Sequence, residues 1–148
     1  MDTTVPGAPA TLITREAIRR FAVTLGTLNP IHHDVATARR RGFRDLVAPP
    51  FFFTTVGMSM GRLTTSDRLR ADGMPLEDEL TGRVVAGETS VRWYGPIVAG
   101  DEVSAHQELR SEQRKTGRSG PLTLFTYSKT YFVDDRLVVA ETLVRIGR

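Results

Sequence analysis

Two stretches decide how the chain is read: Gly26-Thr27-Leu28-Asn29-Pro30-Ile31-His32-His33-Asp34, and, a few residues later, Val47-Ala48-Pro49-Pro50-Phe51-Phe52-Phe53. Asn-Pro favours a turn, and a proline pair ahead of an apolar run favours the start of a buried helix, because the first helical N–H groups have no intrahelical partner to lose. Together they set a titratable imidazole, His32, at the mouth of an apolar slot.

Working outward, Thr14 is a suitable N-cap with Glu16 in the first turn. Ala17, Ile18, Phe21, Ala22 and Leu25 then recur at helical spacing as far as Gly26, a C-cap. Asp34 reads as the N-cap of a second short helix, Val35 to Arg41, closed by Gly42. Phe51 to Leu63 is apolar on most of its circumference, which marks a buried helix, and Gly57 and Gly61 within it allow backbone or ligand to come close. Residues 1–11 show no periodicity and read as a loose arm, and residues 64–82 read as a long loop or lid.

The remainder reads as strands: Val84 to Trp93, broken by Gly95-Pro96; Val103 to Arg114; Leu122 to Val133; and Leu137 to Ile146 with a bulge near Ala140. Thr116 to Pro121 reads as a hairpin loop and Asp134-Asp135 as a turn. Helices followed by consecutive strands indicate an α+β fold with a curved antiparallel β-sheet wrapped around a long central helix.

The 148 residues suit a single domain. With 40% hydrophobic and 25% charged residues and no cysteine, the composition is that of a globular, cytoplasmic protein, neither disordered nor disulfide-stapled. No apolar run reaches the roughly 20 residues that span a bilayer, and no signal peptide is evident, so no membrane role is expected. The net charge is +3, and arginine clusters at Arg39-Arg40-Arg41 and at Arg110, Arg114, Lys115 and Arg118. Neither cluster holds the aromatics that stack bases, which argues against nucleic acid; guanidinium suits the phosphates of a coenzyme A or carrier-protein arm. Metal-ligand spacing is absent, and no serine lies in a nucleophile-elbow context.

The order of helix, N-P-I-H-x-D, A-x-x-x-G-F, A-P-P with a buried helix, and long strands resembles the MaoC-like and fatty-synthase-type dehydratases of the hotdog fold, in the branch of N-terminal half-domains and paired subunits. The match runs from Thr14 to the C-terminus. In active members G-D-x-N-P-x-H supplies an Asp and a His that activate water across the C2–C3 double bond of an acyl thioester. Asn29, Pro30 and His32 match here, but the Asp position is Thr27. By the same register the glycine N–H offered to the thioester oxygen is Pro49, which has none.

The resemblance implies a subunit of a hydratase or dehydratase that pairs, as homodimer or heterodimer, with a second hotdog chain carrying the complete Asp/His site. His32 and Thr27 become the catalytic positions, and Asn29, Phe51, Phe52 and Gly57 the substrate-binding ones. Arg110, Arg114, Lys115 and Arg118 would hold phosphate. No cofactor is implied beyond the coenzyme A or phosphopantetheine of the substrate, and no metal. Two alternatives stay open at this point: a stand-alone His32-dependent lyase, isomerase or cyclase of a fatty-acid or polyketide pathway, and a non-catalytic acyl-thioester binding module.

Overall fold

The computed structural model describes residues 10–56 and 84–148. Residues 1–9 of the expected arm, the predicted helix beyond Val56 with Gly57 and Gly61, and the loop 64–82 lie outside the described residues.

Helix α1 spans Arg15–Leu25, as the sequence predicts. Thr14 Oγ1 accepts from the Ala17 N–H at 3.1 Å, and Gly26, at φ 70°, closes the helix in the left-handed region that only glycine enters without strain. Ile18 and Ala22, four apart, are its buried stripe. Helix α2 covers Val35–Arg40, one residue less than predicted, with Arg41 already in the capping turn. Asp34 caps it by accepting from the Thr37 N–H at 2.9 Å, and its bonds to the Thr37 hydroxyl and N–H hold its carboxyl below the ordinary value. Asp34 is thus built into the backbone frame.

After Pro49-Pro50 the chain winds as a 3-10 segment over Pro50–Thr55, where an α-helix was expected to begin. Two consecutive prolines remove donors, and the Thr54 and Thr55 hydroxyls reach back to the Phe51 and Phe52 carbonyls at 2.7 and 2.8 Å, which favours the tighter winding.

Five antiparallel strands follow the order β1-β3-β4-β5-β2: β1 Thr11–Leu12, β2 Val84–Trp93, β3 Glu102–Gly117, β4 Gly120–Val133 and β5 Arg136–Gly147. Thr11 pairs with Val103, so the arm ends one residue earlier than the sequence indicates. The predicted loop at 116–121 is also tighter, since Thr116 pairs with Pro121 and Gly117 with Gly120, leaving Arg118 and Ser119 at the tip. Gly120, at φ 115°, makes so short a turn feasible. The predicted bulge falls on Val138, two residues before Ala140: Tyr131 faces Val139 while Phe132 faces Leu137. The extra residue lets the consecutive Val138 and Val139 both enter the core.

One sheet face packs on α1 and the 3-10 segment through Ile18, Leu46, Phe53, Val103, Tyr131 and Val139. Phe53 is at the centre, with its ring edge-on to Tyr131 at 5.0 Å. Among the described residues β2 pairs only with β5, which leaves its outer edge unpaired within them, and its residues 85–90 are all exposed.

Candidate functional site

The turn from Thr27 to His33 is clamped by the peptide of Val47. The Val47 N–H donates to the Ile31 carbonyl at 3.0 Å, and the Val47 carbonyl accepts from His32 Nδ1 at 2.6 Å. A carbonyl only accepts, so Nδ1 carries the hydrogen and the lone pair sits on Nε2. Protonating Nε2 leaves the anchor intact, so this imidazole can take up and release a proton without losing its place. His32 is 6% exposed and its own N–H is bonded to the Asn29 carbonyl at 3.1 Å. The arrangement serves both a base and a histidine that ties two loops together.

His33 is half-buried. Its Nε2 donates to the Thr27 carbonyl at 2.8 Å, closing the loop across six residues, and its own carbonyl accepts from Arg19 Nε at 3.1 Å. The two adjacent histidines are therefore held in opposite tautomers, and only His32 keeps an Nε2 lone pair.

Thr27 and Asn29 spend their side chains on the turn. Asn29 Oδ1 accepts from the Ile31 N–H at 3.3 Å, and Thr27 Oγ1 lies 3.5 Å from the Asn29 nitrogen. Among the described residues no carboxylate is hydrogen-bonded to His32; its ring partner is the Val47 carbonyl.

Phe52 was expected at the substrate and is in the core instead: it is 3% exposed, edge-on to Phe21 at 5.5 Å. Its N–H is spent on the Pro49 carbonyl at 2.9 Å, as 3-10 winding requires, and is not free to donate to a substrate oxygen. Phe51 points the other way, half exposed, with its ring edge-on to Trp93 at 5.2 Å.

Beside them opens a cleft of about 590 Å³ lined chiefly by Ala48, Pro49, Pro50, Trp93, Tyr94 and Ile97. Trp93 Nε1 donates to the Pro50 carbonyl at 2.7 Å, fixing one wall. The cleft starts one residue after Val47, whose carbonyl holds His32, although His32 is not in its lining. Trp93 and Tyr94 escaped the sequence reading; the signal available was an aromatic pair at a strand end just before Gly95-Pro96.

The hairpin cations do not converge. Arg110 occupies a bulge in β3 and pairs with Glu108 at 3.1 Å. Arg114 and Lys115 are consecutive in the paired strand and so project from opposite faces, and Arg118 is at the tip, in a second cleft with Arg148.

A family description, the FAS1-like dehydratase domain region, matches residues 4–141. The chain belongs to that family. Among relatives of this dehydratase-region chain, a UPF0336 protein of Clavibacter michiganensis is 34% identical over 101 residues, 68% of this chain and 63% of that one. A UPF0336 protein of Parafrankia sp. is 37% identical over 117 residues, 78% of this chain and 72% of the relative. The chain thus spans less than two thirds of the first relative's length.

Two solved structures share its fold across nearly the whole chain. The ChsH1-ChsH2 complex of Mycobacterium tuberculosis has a TM-score of 0.76 at 20% identity, covering 98% of this chain and 84% of that one. The HadBC (3R-hydroxyacyl-ACP dehydratase) complex of the same organism has 0.72 at 20%, covering 99% and 100%. The fold is that of the MaoC-like hotdog dehydratases.

Proposed function

We propose that the chain is one subunit of an acyl-thioester hydratase or dehydratase, pairing with a second hotdog chain that carries the complete Asp/His site. The observation that carries this reading is the composition of the turn. His32 is held through Nδ1 with Nε2 available, while the position for its aspartate is Thr27, whose hydroxyl faces the Asn29 nitrogen. A hydroxyl does not ionise near neutral pH and cannot serve as the second proton carrier. The outer edge of β2, unpaired among the described residues, supports pairing, as do the two neighbours that are two-chain complexes by name. In this reading the Trp93–Pro50 cleft receives part of the acyl thioester, its volume being in the range of small-ligand sites.

A second reading is kept alive by His32 itself. An imidazole with a fixed tautomer can act alone as a base in an isomerisation or elimination. Light scattering on the chain with and without a hotdog chain bearing an intact G-D-x-N-P-x-H motif tests the pairing. A stable mixed dimer at micromolar concentration is expected; a monomer under both conditions contradicts it.

A further inference from the structure

The Val47 peptide that sets the His32 tautomer belongs to a very short ladder. Val47 pairs with Val98 in an isolated antiparallel bridge, in which the Ala48 N–H donates to the Ile97 carbonyl at 2.8 Å and the Ala99 N–H to the Leu46 carbonyl at 2.9 Å. The inner edges of the two segments are thereby used on each other. On one outer edge the Val47 N–H and carbonyl take the Ile31 carbonyl and the His32 ring. On the other, the Val98 carbonyl accepts from the Asp101 N–H at 3.1 Å and the Val98 N–H donates to Asp101 Oδ2 at 2.9 Å.

This ladder cannot lengthen toward the cleft, because the next facing residues in the register are Pro49 and Pro96, and neither has an N–H. In the other direction Gly100, at φ 93°, turns the chain away and gives its N–H to the Ile13 carbonyl at 2.8 Å. Among the described residues, then, two backbone bonds join the segment that holds His32 to the one that faces it.

Side chains brace what the backbone leaves short. Asp45 Oδ1 accepts from the Leu46 N–H at 2.7 Å, and Arg15 of α1 grips the same carboxylate with Nε and a terminal nitrogen at 2.9 and 2.7 Å. The Asp45 side chain is 13% exposed, yet the bonds from the Arg15 guanidinium and the Leu46 N–H hold its carboxyl down at about 2, so it stays charged. Arg39 lies 3.8 Å from it, and Arg44, the residue before it, reaches across to the buried Asp101. The line from α1 to the site therefore runs through Arg15, Asp45, the Leu46 peptide and the Val47 carbonyl.

We infer that the Arg15–Asp45 pair is a positioning device for His32: it fixes the backbone of Leu46 and Val47, and through it the carbonyl that keeps the His32 hydrogen on Nδ1 and the lone pair on Nε2. Neither residue is bonded to the imidazole. If the Val47 carbonyl moves off, Nδ1–H becomes a buried donor without an acceptor, and the hydrogen is better placed on Nε2. The base is then lost although His32 is still present. The inference rests on the acyl-thioester reading only for that catalytic consequence, and the tautomer is read without turnover.

The test is nitrogen-15 NMR of the histidine rings in the full chain at about pH 8, where an ordinary imidazole is neutral. It compares the wild type with Asp45→Asn and with Arg15→Met/Arg39→Met, the second replacing only half-exposed or exposed side chains in case the first does not fold. Val103→Ala, a core change on the sheet, serves as a variant that is destabilised away from the bridge. The wild type is expected to show His32 with its hydrogen on Nδ1 and His33 with its hydrogen on Nε2. Both brace variants should lose the His32 pattern, with Nε2–H becoming the major form, while His33 keeps its own. Val103→Ala should leave both rings unchanged. In a complex with a second hotdog chain bearing the intact motif, the brace variants should hydrate an enoyl thioester about ten-fold or more slowly. A His32 ring that keeps Nδ1–H in both brace variants, or one that changes as much in Val103→Ala, overturns the inference. A complex without hydratase activity whose His32 tautomer still follows the brace counts against the hydratase reading and not against the positioning role.

Discussion

Purified alone, the chain is expected to hydrate a trans-2-enoyl thioester very weakly, and His32→Ala to remove what activity there is. Losing a positioned acid–base group costs about 100 to 10,000-fold and losing an oxyanion donor about 100 to 1,000-fold, and the chain departs from the hydratase pattern at both Thr27 and Pro49. Such losses need not multiply, but either is enough to make the lone chain a poor hydratase. Thr27→Asp is expected to recover only a small rate. The side chain at that position is turned toward the Asn29 N–H, so a carboxylate there has a backbone donor to satisfy before it can meet substrate. Vigorous hydration by the lone chain that survives His32→Ala would place the chemistry elsewhere.

The largest effect on stability is expected at Phe53. Its ring is fully buried and meets three aromatic neighbours: Tyr131 at 5.0 Å, Phe51 at 5.8 Å and Trp93 at 6.2 Å. Phe53→Ala removes that contact surface and leaves a cavity between the 3-10 segment and the sheet, at a cost of about 3–5 kcal/mol. Phe51→Ala, two residues away and half exposed, should cost under about 1 kcal/mol. Urea unfolding with unchanged slope reads the difference. Similar midpoints for the two variants would show that Phe53 is not the centre of the core.

Much of this frame is legible in the sequence because the signals are local. Thr14, Gly26 and Asp34 act through hydrogen bonds within a few residues, and strand alternation needs only a period of two. Val84–Trp93 is found at the boundaries the sequence suggests. What escaped depends on partners far along the chain. Phe51 and Phe52 look alike in sequence, but the 3-10 winding after Pro49-Pro50 decides which ring enters the core and consumes the Phe52 N–H. The bulge at Val138 is set by Tyr131 and Phe132 on the neighbouring strand. His33 and Trp93 are placed by bonds to the Thr27 and Pro50 carbonyls, which no periodicity announces. The arginine cluster of the helical segment was visible only as Arg39-Arg40-Arg41. Its link to Arg15 and Arg44 runs through the buried Asp45 and Asp101, residues separated from their partners by 30 and 57 positions.

The same contrast explains the hairpin cations. Arg110, Arg114, Lys115 and Arg118 are near in sequence, but a strand sends neighbours to opposite faces, so proximity along the chain does not make a cluster. On two helices that share a buried carboxylate, arginines far apart in sequence do come together.

The most direct test of the central claim is the rate of trans-2-enoyl thioester hydration by this chain alone and by this chain bound to a second hotdog chain with an intact G-D-x-N-P-x-H motif, the second chain also being assayed by itself. The account predicts that the pair exceeds the lone chain by about 100-fold or more, in line with supply of the missing acid–base group, and that the second chain needs this one for full activity. Equal rates for the lone chain and the pair, or a second chain fully active without this one, would contradict it.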